Sequence, residues 1–547
     1  MAIGVLATLP ALGVGFVHDD LLHRLVLEDR VAEYERGPHE LYDFTGADPA
    51  ATAEMIEAGY FPWFTDPALR IRFFRPLSSL LLALDSALFG RASLPAHLHS
   101  LLWFVLIALV AAAIFRRTLS PRGATLATLV YALAGAHADT TAWLAARHTL
   151  VGAAFGAVAV WAHIARRSEG SERIEAGAII APLALLAGML ASETALGAVV
   201  FIALFELLVS RGPLRARALA ALPTLTLGLA HLVFYVLAGY GTKNSAAYIS
   251  PFDDPLAFVG AVFARGALLV AELYGALPSL ISSIAEPLGL PGAVYGALAA
   301  AGCALLVYRG RDRLAEGEDR RLLWLGASSV VCLAPMVGGV LGGRLLPLAL
   351  VGSSAVVGTA IALAFELASK SPLARRLAFA ASGLALVLLH FVLAPLLRVG
   401  VPFHGQHRRG GAGARRARRR ERLRGGQHRL RPHRRRPGRH ALRCARAALL
   451  PTPEGRAPAS PARALDGAAR ARAERDRARS LRAARARWSP RGQPLRDDLS
   501  CDPHVARPSR GGRRAHRHRA RGGSWLSHAR RVRGGGCPRL RVLLELA

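Results

Sequence analysis

Cysteine is nearly absent: five residues in 547, with Cys303 and Cys332 in apolar runs and Cys444, Cys501 and Cys537 close to the end. Neither the number nor the spacing makes a disulfide framework or a metal-ligand set. A soluble composition is missing too. Hydrophobic residues make up 52% of the chain, the mean hydropathy is positive, and the apolar residues come in long runs. That excludes an ordinary soluble globular protein and predicts a polytopic membrane protein. The start has no basic n-region, and no small-residue cleavage site precedes Asp19. Residues 2–17 therefore read as a first helix rather than a cleaved signal peptide, although a full span needs about 20 residues. No internal repeat is visible, which weighs against a secondary transporter built from matching halves.

Charge is abundant but unevenly placed. Residues 1–400 hold 29 lysines and arginines against 28 aspartates and glutamates, and residues 401–547 hold the remaining 41 and 9. The net charge of +33 thus belongs almost wholly to the last 147 residues.

Within the balanced part, apolar runs occupy about 98–115, 121–136, 148–165, 176–190, 194–209, 218–239, 256–285, 291–308, 322–341, 345–368 and 377–397. The expectation is an all-α bundle of about 10–12 transmembrane helices. Leu77 to Phe89, interrupted by Asp85, reads as a helix along the membrane surface. The basic turns at Arg116-Arg117, Arg166-Arg167, Arg211 to Arg217, Arg309 to Arg313 and Lys370 to Arg376 fall on one side if 256–285 does not cross fully. By the positive-inside rule that side is cytoplasmic. The opposite side receives a long first extracytoplasmic loop (18–75), the His137–Arg147 segment, Ser192-Glu193, the 240–255 loop and Arg344. Asp253-Asp254 before Pro255 reads as a helix cap.

Acids, histidines and lone arginines collect in these outer segments, and Asp19-Asp20 follows directly on the first apolar run. Ionisable groups at membrane depth usually mark function. Glu193, between two apolar runs, is the clearest instance, since charge at the bilayer centre costs about 2.5–3.5 kcal/mol on insertion scales.

Several stretches carry a resemblance. Phe74-Arg75-Pro76-Leu77-Ser78-Ser79, Leu84-Asp85, Leu88-Phe89-Gly90 and His97-Leu98 resemble the start of GT-C glycosyltransferases of the protein O-mannosyltransferase type, including the transmembrane O-mannosyltransferases with tetratricopeptide repeats. Asp19-Asp20 stands where that family has a paired acidic motif. His137-Ala138-Asp139-Thr140-Thr141-Ala142-Trp143 through Arg147 is similar to its H-T-E-A-V-A-W-I-x-x-R segment. Ala191-Ser192-Glu193-Thr194-Ala195 resembles S-K-E-T-A with serine in place of the lysine. Gly343-Arg344-Leu345-Leu346-Pro347 resembles E-R-Y-L-Y-L-P without the tyrosines.

The resemblance implies a GT-C-like bundle that takes a sugar from a polyprenyl-phosphate donor in the membrane lipid and passes it to a protein or glycan hydroxyl. The site would face the periplasm or exterior of a bacterial inner membrane. Such a transfer needs a carboxylate to accept the hydroxyl proton, and Asp19 or Asp20 is the candidate base. The departing phosphate needs cations, and the always-charged fork of arginine suits it. Arg75, Arg147 and Arg344 are the candidates, with His137, Asp139 and Glu193 orienting the donor. A carboxylate pair also admits Mg²⁺ or Mn²⁺, although no further oxygen ligands stand at a recognisable spacing. The alternatives are a non-catalytic membrane protein or a secondary transporter.

From about His404 onward arginine dominates, lysine is absent and no apolar period persists, so 401–547 reads as a disordered low-complexity tail. Dense basic charge can bind nucleic acid. Helix counting places this tail on the outer side, however, so no nucleic-acid partner is expected. In GC-rich DNA a shifted frame through Ala, Leu, Val and Asp codons yields this mixture of Arg, Pro, Gly and His. Translation of the other two frames downstream of codon 400 is expected to give an apolar or helical continuation. Stop codons throughout both frames would refute a frameshift origin.

Overall fold

The computed structural model describes residues 1–31, 36–168, 173–280 and 286–400; the arginine-rich tail, expected to be disordered, lies outside the described residues. The chain begins with α1 (Ala2–Thr8) and a 3-10 turn, Leu9–Gly13, where Pro10 ends the α-helix. The first loop carries α2 (Asp19–Leu27), β1 (Asp43–Gly46), α3 (Pro49–Glu57) and β2 (Arg70–Arg72). Helices then follow almost without interruption: α4 (Pro76–Phe89), α5 (Ser93–Thr118), α6 (Pro121–Leu133), α7 (His137–Ala142), α8 (Arg147–Ser168), α9 (Arg173–Ala191), α10 (Gly197–Leu208) and α11 (Leu214–Leu237). β3 (Gly241–Lys243) precedes α12 (Pro255–Gly275), α13 (Gly289–Arg309), α14 (Glu318–Val331), α15 (Ala349–Ser369) and α16 (Leu373–Val387).

Among the described residues eight helical segments have the length and apolarity of a span, beside three shorter apolar ones at Ala2–Gly13, Pro76–Phe89 and Gly177–Ala191. The protein is an integral membrane protein with a helical bundle. α5 shows why. Phe104, Ile107, Ala108, Ala111, Ile114 and Phe115 repeat at helical spacing and are buried, while the other face exposes Leu102, Leu106 and Leu109. A helix that is apolar on both its packed and its exposed face is at home only in lipid. α4, at 14 residues, is about 21 Å long and falls short of a hydrocarbon core of about 30 Å.

The basic turns meet at one end of the bundle. Arg321 Nε donates to the Thr118 carbonyl (2.7 Å) and the Ser120 N–H to Glu318 (2.7 Å). Arg313 lies 3.6 Å from Glu366, and Arg211 lies 3.9 Å from Glu316. At the other end the loops are tied by an antiparallel sheet in the order β1-β2-β3, which pairs Arg70 with Lys243 and Arg72 with Gly241. Ion pairs Arg72–Asp43 (2.9 Å) and Arg70–Asp253 (3.4 Å) reinforce it. Asp254, as expected, caps α12 by accepting from the Ala257 N–H at 2.9 Å.

α12 has the length of a span, yet its contacts keep it on the sheet side. Asp253 anchors its start there, and Arg265 in its middle donates to the carbonyls of Val337 (3.2 Å) and Gly339 (3.1 Å). Tyr274 in its last turn meets Ser329 partway along α14 (2.9 Å). α13 then runs from Gly289 to Arg309 at the basic end.

α15 is the pillar of the core, packed by α6, α13, α14 and α16. Its approach to α14 needs glycine: a Cβ on Gly352 would stand 2.0 Å from the Leu325 carbonyl oxygen and 2.8 Å from Ser329 Cβ. Gly352→Ala is therefore expected to cost about 1–3 kcal/mol through forced separation of the two helices. It would appear as a lower thermal midpoint in detergent, whereas Leu102→Ala on the lipid face would change little. Equal midpoints for wild type and Gly352→Ala would refute this packing.

Candidate active site

The first turn of α2 separates the two neighbouring aspartates. Asp20 is buried and both its oxygens are taken: Oδ2 accepts from the Val17 N–H at 3.0 Å and Oδ1 from the Ala145 N–H at 2.7 Å. The second bond crosses 125 positions and fastens the first loop to the turn between α7 and α8. Burial raises the Asp20 carboxyl to about 7, against the pull of the backbone N–H groups of Val17, Ala145 and Leu144. Tyr42 secures the same turn by donating to the Ala145 carbonyl at 2.6 Å.

Asp19, one residue earlier, points elsewhere on the helix and is half-buried. Its carboxylate accepts no hydrogen bond among the described residues. Burial raises its pKa, and the charges of His18, Arg344 and Arg75 oppose the rise. It is thus an unpaired carboxylate with two guanidinium groups close enough to act on it.

Arg344 sits in the 3-10 turn Gly343–Leu345, its guanidinium 5.1 Å from the centre of the Trp143 ring and donating to the Val340 carbonyl at 3.1 Å. Among the described residues no carboxylate comes within ion-pair distance of it. His18 packs edge-on against the same indole at 5.2 Å, and Trp143 Nε1 is buried without a hydrogen-bond partner among the described residues. Asp139, in the first turn of α7, completes this group. Burial raises its pKa, opposed by Arg344 and by the N–H groups of Arg344 and Gly343. A cavity of about 80 Å³ opens beside Asp139, walled by Gly135, Glu272, Gly343, Leu350 and Leu397.

Arg75 and Glu193 form the adjoining group. Arg75 Nε donates to Glu193 Oε2 at 2.9 Å, and Tyr235 donates to Glu193 Oε1 at 2.9 Å. Arg75 Nη1 lies 3.0 Å from His148 Nε2. Arginine can only donate, so that nitrogen accepts; His148 then carries its proton on Nδ1 and gives it to Ser192 Oγ at 3.0 Å. Phe73 and Tyr42 face the same guanidinium at 4.2 and 5.1 Å. Ser192, which replaces the lysine of the resembled motif, serves this network as a hydroxyl and supplies no cation.

Two expected donor-binding residues lie elsewhere. His137 is fully buried between Phe104 and Tyr131, its Nε2 bonded to the Tyr131 carbonyl at 3.1 Å. It is a core side chain, held there by aromatic packing. Arg147 is 2% exposed and committed to Asp85, whose other oxygen takes a proton donor from His99 Nδ1 at 2.8 Å. Breaking a buried pair of this kind costs about 3–5 kcal/mol, so Arg147 is not free to hold a phosphate. Sequence reasoning missed His148, Tyr235 and His18. The signal for the first two was polar atoms inside otherwise apolar runs.

Among the described residues no group of three or more His, Cys, Asp or Glu could hold a metal ion. The acidic pair does not fit Mg²⁺ or Mn²⁺ either, because both Asp20 oxygens already accept N–H groups.

No family model matches the chain, and no curated protein matches it. Among solved structures it is similar to ArnT from Cupriavidus metallidurans. The form bound to undecaprenyl phosphate is 14% identical with a TM-score of 0.39, and the apo form is 13% identical with a TM-score of 0.37. Each comparison covers 74% of both chains.

The two aspartates should separate by experiment. Asp20→Asn removes one acceptor from a buried pin, because the amide NH₂ cannot take the second N–H, and should lower the thermal midpoint by an amount equivalent to about 1–3 kcal/mol. Asp19→Asn breaks no bond and should leave the midpoint unchanged. Equal destabilisation by both substitutions would refute the division.

Proposed function

We propose that this protein is a GT-C-type membrane glycosyltransferase that moves a sugar from a polyprenyl-phosphate donor to a hydroxyl acceptor at the sheet end of the bundle, on the extracytoplasmic side. The observation that carries this reading is one arrangement: the unpaired carboxylate of Asp19 set against the unpaired guanidinium of Arg344, with Asp139 and the Arg75–Glu193 pair beside them. The motif order along the chain supports it, and the resemblance to O-mannosyltransferases favours a hexose as the sugar.

In this mechanism Asp19 accepts the proton of the acceptor hydroxyl while its oxygen attacks the anomeric carbon. The bond from that carbon to the phosphate oxygen breaks, and the polyprenyl phosphate leaves with the electron pair. Phosphate needs no strong general acid; Arg344 and Arg75 hold its growing charge instead. The pairing with Glu193 offsets the charge of Arg75 and holds its guanidinium rigid, so Arg75 serves the phosphate as a fixed N–H donor. Arg344, with no carboxylate partner, keeps its full charge for the phosphate. Trp143 offers a ring face and an unused N–H to the donor. The proton on Asp19 passes to water after transfer.

General-base catalysis of this kind contributes about 10² to 10⁴-fold. Turnover of a radiolabelled polyprenyl-phosphate hexose in proteoliposomes should therefore fall by about that factor in Asp19→Asn with the thermal midpoint preserved. Because burial lifts the Asp19 pKa and the base acts ionised, turnover should rise with pH. The acid limb should lie above the usual aspartate value of 3.8 and disappear in Asp19→Asn. Equal turnover in wild type and Asp19→Asn would remove this base from the mechanism.

A further inference from the structure

The cavity beside Asp139, about 80 Å³, has three polar side chains on its wall, Asp139, Glu272 and His390, among small and aliphatic ones. Each presents an acceptor. Glu272 Oε2 is taken by Ser279, which donates from its N–H at 2.8 Å and its hydroxyl at 2.6 Å, while Oε1 has no hydrogen bond among the described residues. His390 is 3% exposed, and its Nε2 lies 3.1 Å from the Tyr274 carbonyl. A carbonyl can only accept, so Nε2 carries the proton and Nδ1 is left an acceptor with no partner among the described residues.

Glycine keeps these acceptors uncovered. A Cβ on Gly343 would stand 2.9 Å from Glu272 Oε1, and a Cβ on Gly342 would stand 3.2 Å from Asp139 Oδ2. Arg344 Nη1 is 3.3 Å from that second point, so the cavity wall and the Arg344 guanidinium meet across a single residue. A group that enters must donate, and it must be small. At about 30 Å³ per non-hydrogen atom, the share of a water in the liquid, the cavity takes about two or three atoms and no pyranose ring. An anion would meet only lone pairs there, and a methyl group would leave the acceptors unpaired. Among the described residues no three such groups converge on a metal ion.

We propose that this cavity is the subsite for the hydroxymethyl group of the donor hexose, and so the feature that selects a hexose over a pentose. The inference rests on the transferase reading given above. With the phosphate on Arg344, the group that reaches Asp139 must lie near the anomeric carbon. The carbon that bears the hydroxymethyl group is joined to the anomeric carbon through the ring oxygen. That group supplies two non-hydrogen atoms ending in a donor, whereas a ring hydroxyl supplies one and leaves most of the cavity unfilled.

The test gives the full-length protein in proteoliposomes four donors, polyprenyl-phosphate mannose, 6-deoxymannose, lyxose and mannuronate. They differ only in carrying a hydroxymethyl, a methyl, a hydrogen or a carboxylate at one carbon, and kcat/KM is read from release of polyprenyl phosphate. Mannose is expected to lead each of the others by about 10²-fold, as in sites that hydrogen-bond a substrate hydroxyl. Ala394→Leu, or Val130→Phe, fills the cavity and should bring mannose down to the lyxose value while lyxose keeps its wild-type value. Lyxose or mannuronate turned over as fast as mannose, or a filled variant that slows mannose and lyxose alike, would overturn the subsite and leave the transferase reading standing. A protein that turns over none of the four would overturn that reading and the subsite with it. The donor series in the wild type decides the matter even where neither filled variant folds.

Discussion

The arrangement depends on one buried carboxylate. Among the described residues Asp20 has no cationic partner, and its place in the fold rests on two backbone N–H groups, from Val17 beside it and Ala145 far along the chain. A carboxylate left unsatisfied in such surroundings would pull its segment back to water. With both bonds made, it fixes the position and rotation of α2 against the turn that holds Trp143, Leu144 and His148. Asp19 can then stay unpaired. Its direction is set by the bonds of its neighbour, so it needs none of its own.

The arginines divide in the same way. Arg147 and Arg344 look alike in sequence, each standing alone near the end of an apolar run. Arg147 meets Asp85, and Trp103 sets the rest of that chain. An indole N–H can only donate, so the bond from Trp103 Nε1 to His99 Nε2 at 3.0 Å leaves the His99 proton on Nδ1, facing Asp85. The result is a buried relay joining α4, α5 and α8, which is a structural use of charge. Arg344 meets an aromatic face and a carbonyl instead. That holds the guanidinium in place without neutralising it, which is what an anion site requires.

These differences mark what could be read from the sequence. The helices followed from runs of apolar residues, and the grouping of acids and lone arginines at one end followed from where the basic turns fall. Roles within the motifs were not legible. Asp19 and Asp20 differ by one residue, about 100° around the helix, and only the donor N–H of Ala145, 125 residues on, decides which of them is bound. His137 and His148 are both polar residues at the edges of apolar helices. Packing against Phe104 and Tyr131 took the first into the core, while a donor from Arg75 brought the second to the site. Long-range partners of this kind leave no local period to detect.

α2 therefore carries two environments on nine residues. One face is pinned by Asp20, and about 100° around the helix Asp19 stands within the influence of two guanidinium groups. His18, at the start of the helix, adopts a positive φ of 46°, a conformation that costs a non-glycine residue energy and persists only where its surroundings hold it. Two contacts hold it: Trp143 against the His18 ring, and Asp20 accepting from the Val17 N–H. A strained entry followed by a doubly bonded second residue leaves the helix little freedom to rotate. A carboxylate that must meet a hydroxyl and a phosphate at hydrogen-bond distance gains from that restraint, because misplacement by about 1 Å is enough to cost a hundredfold in rate.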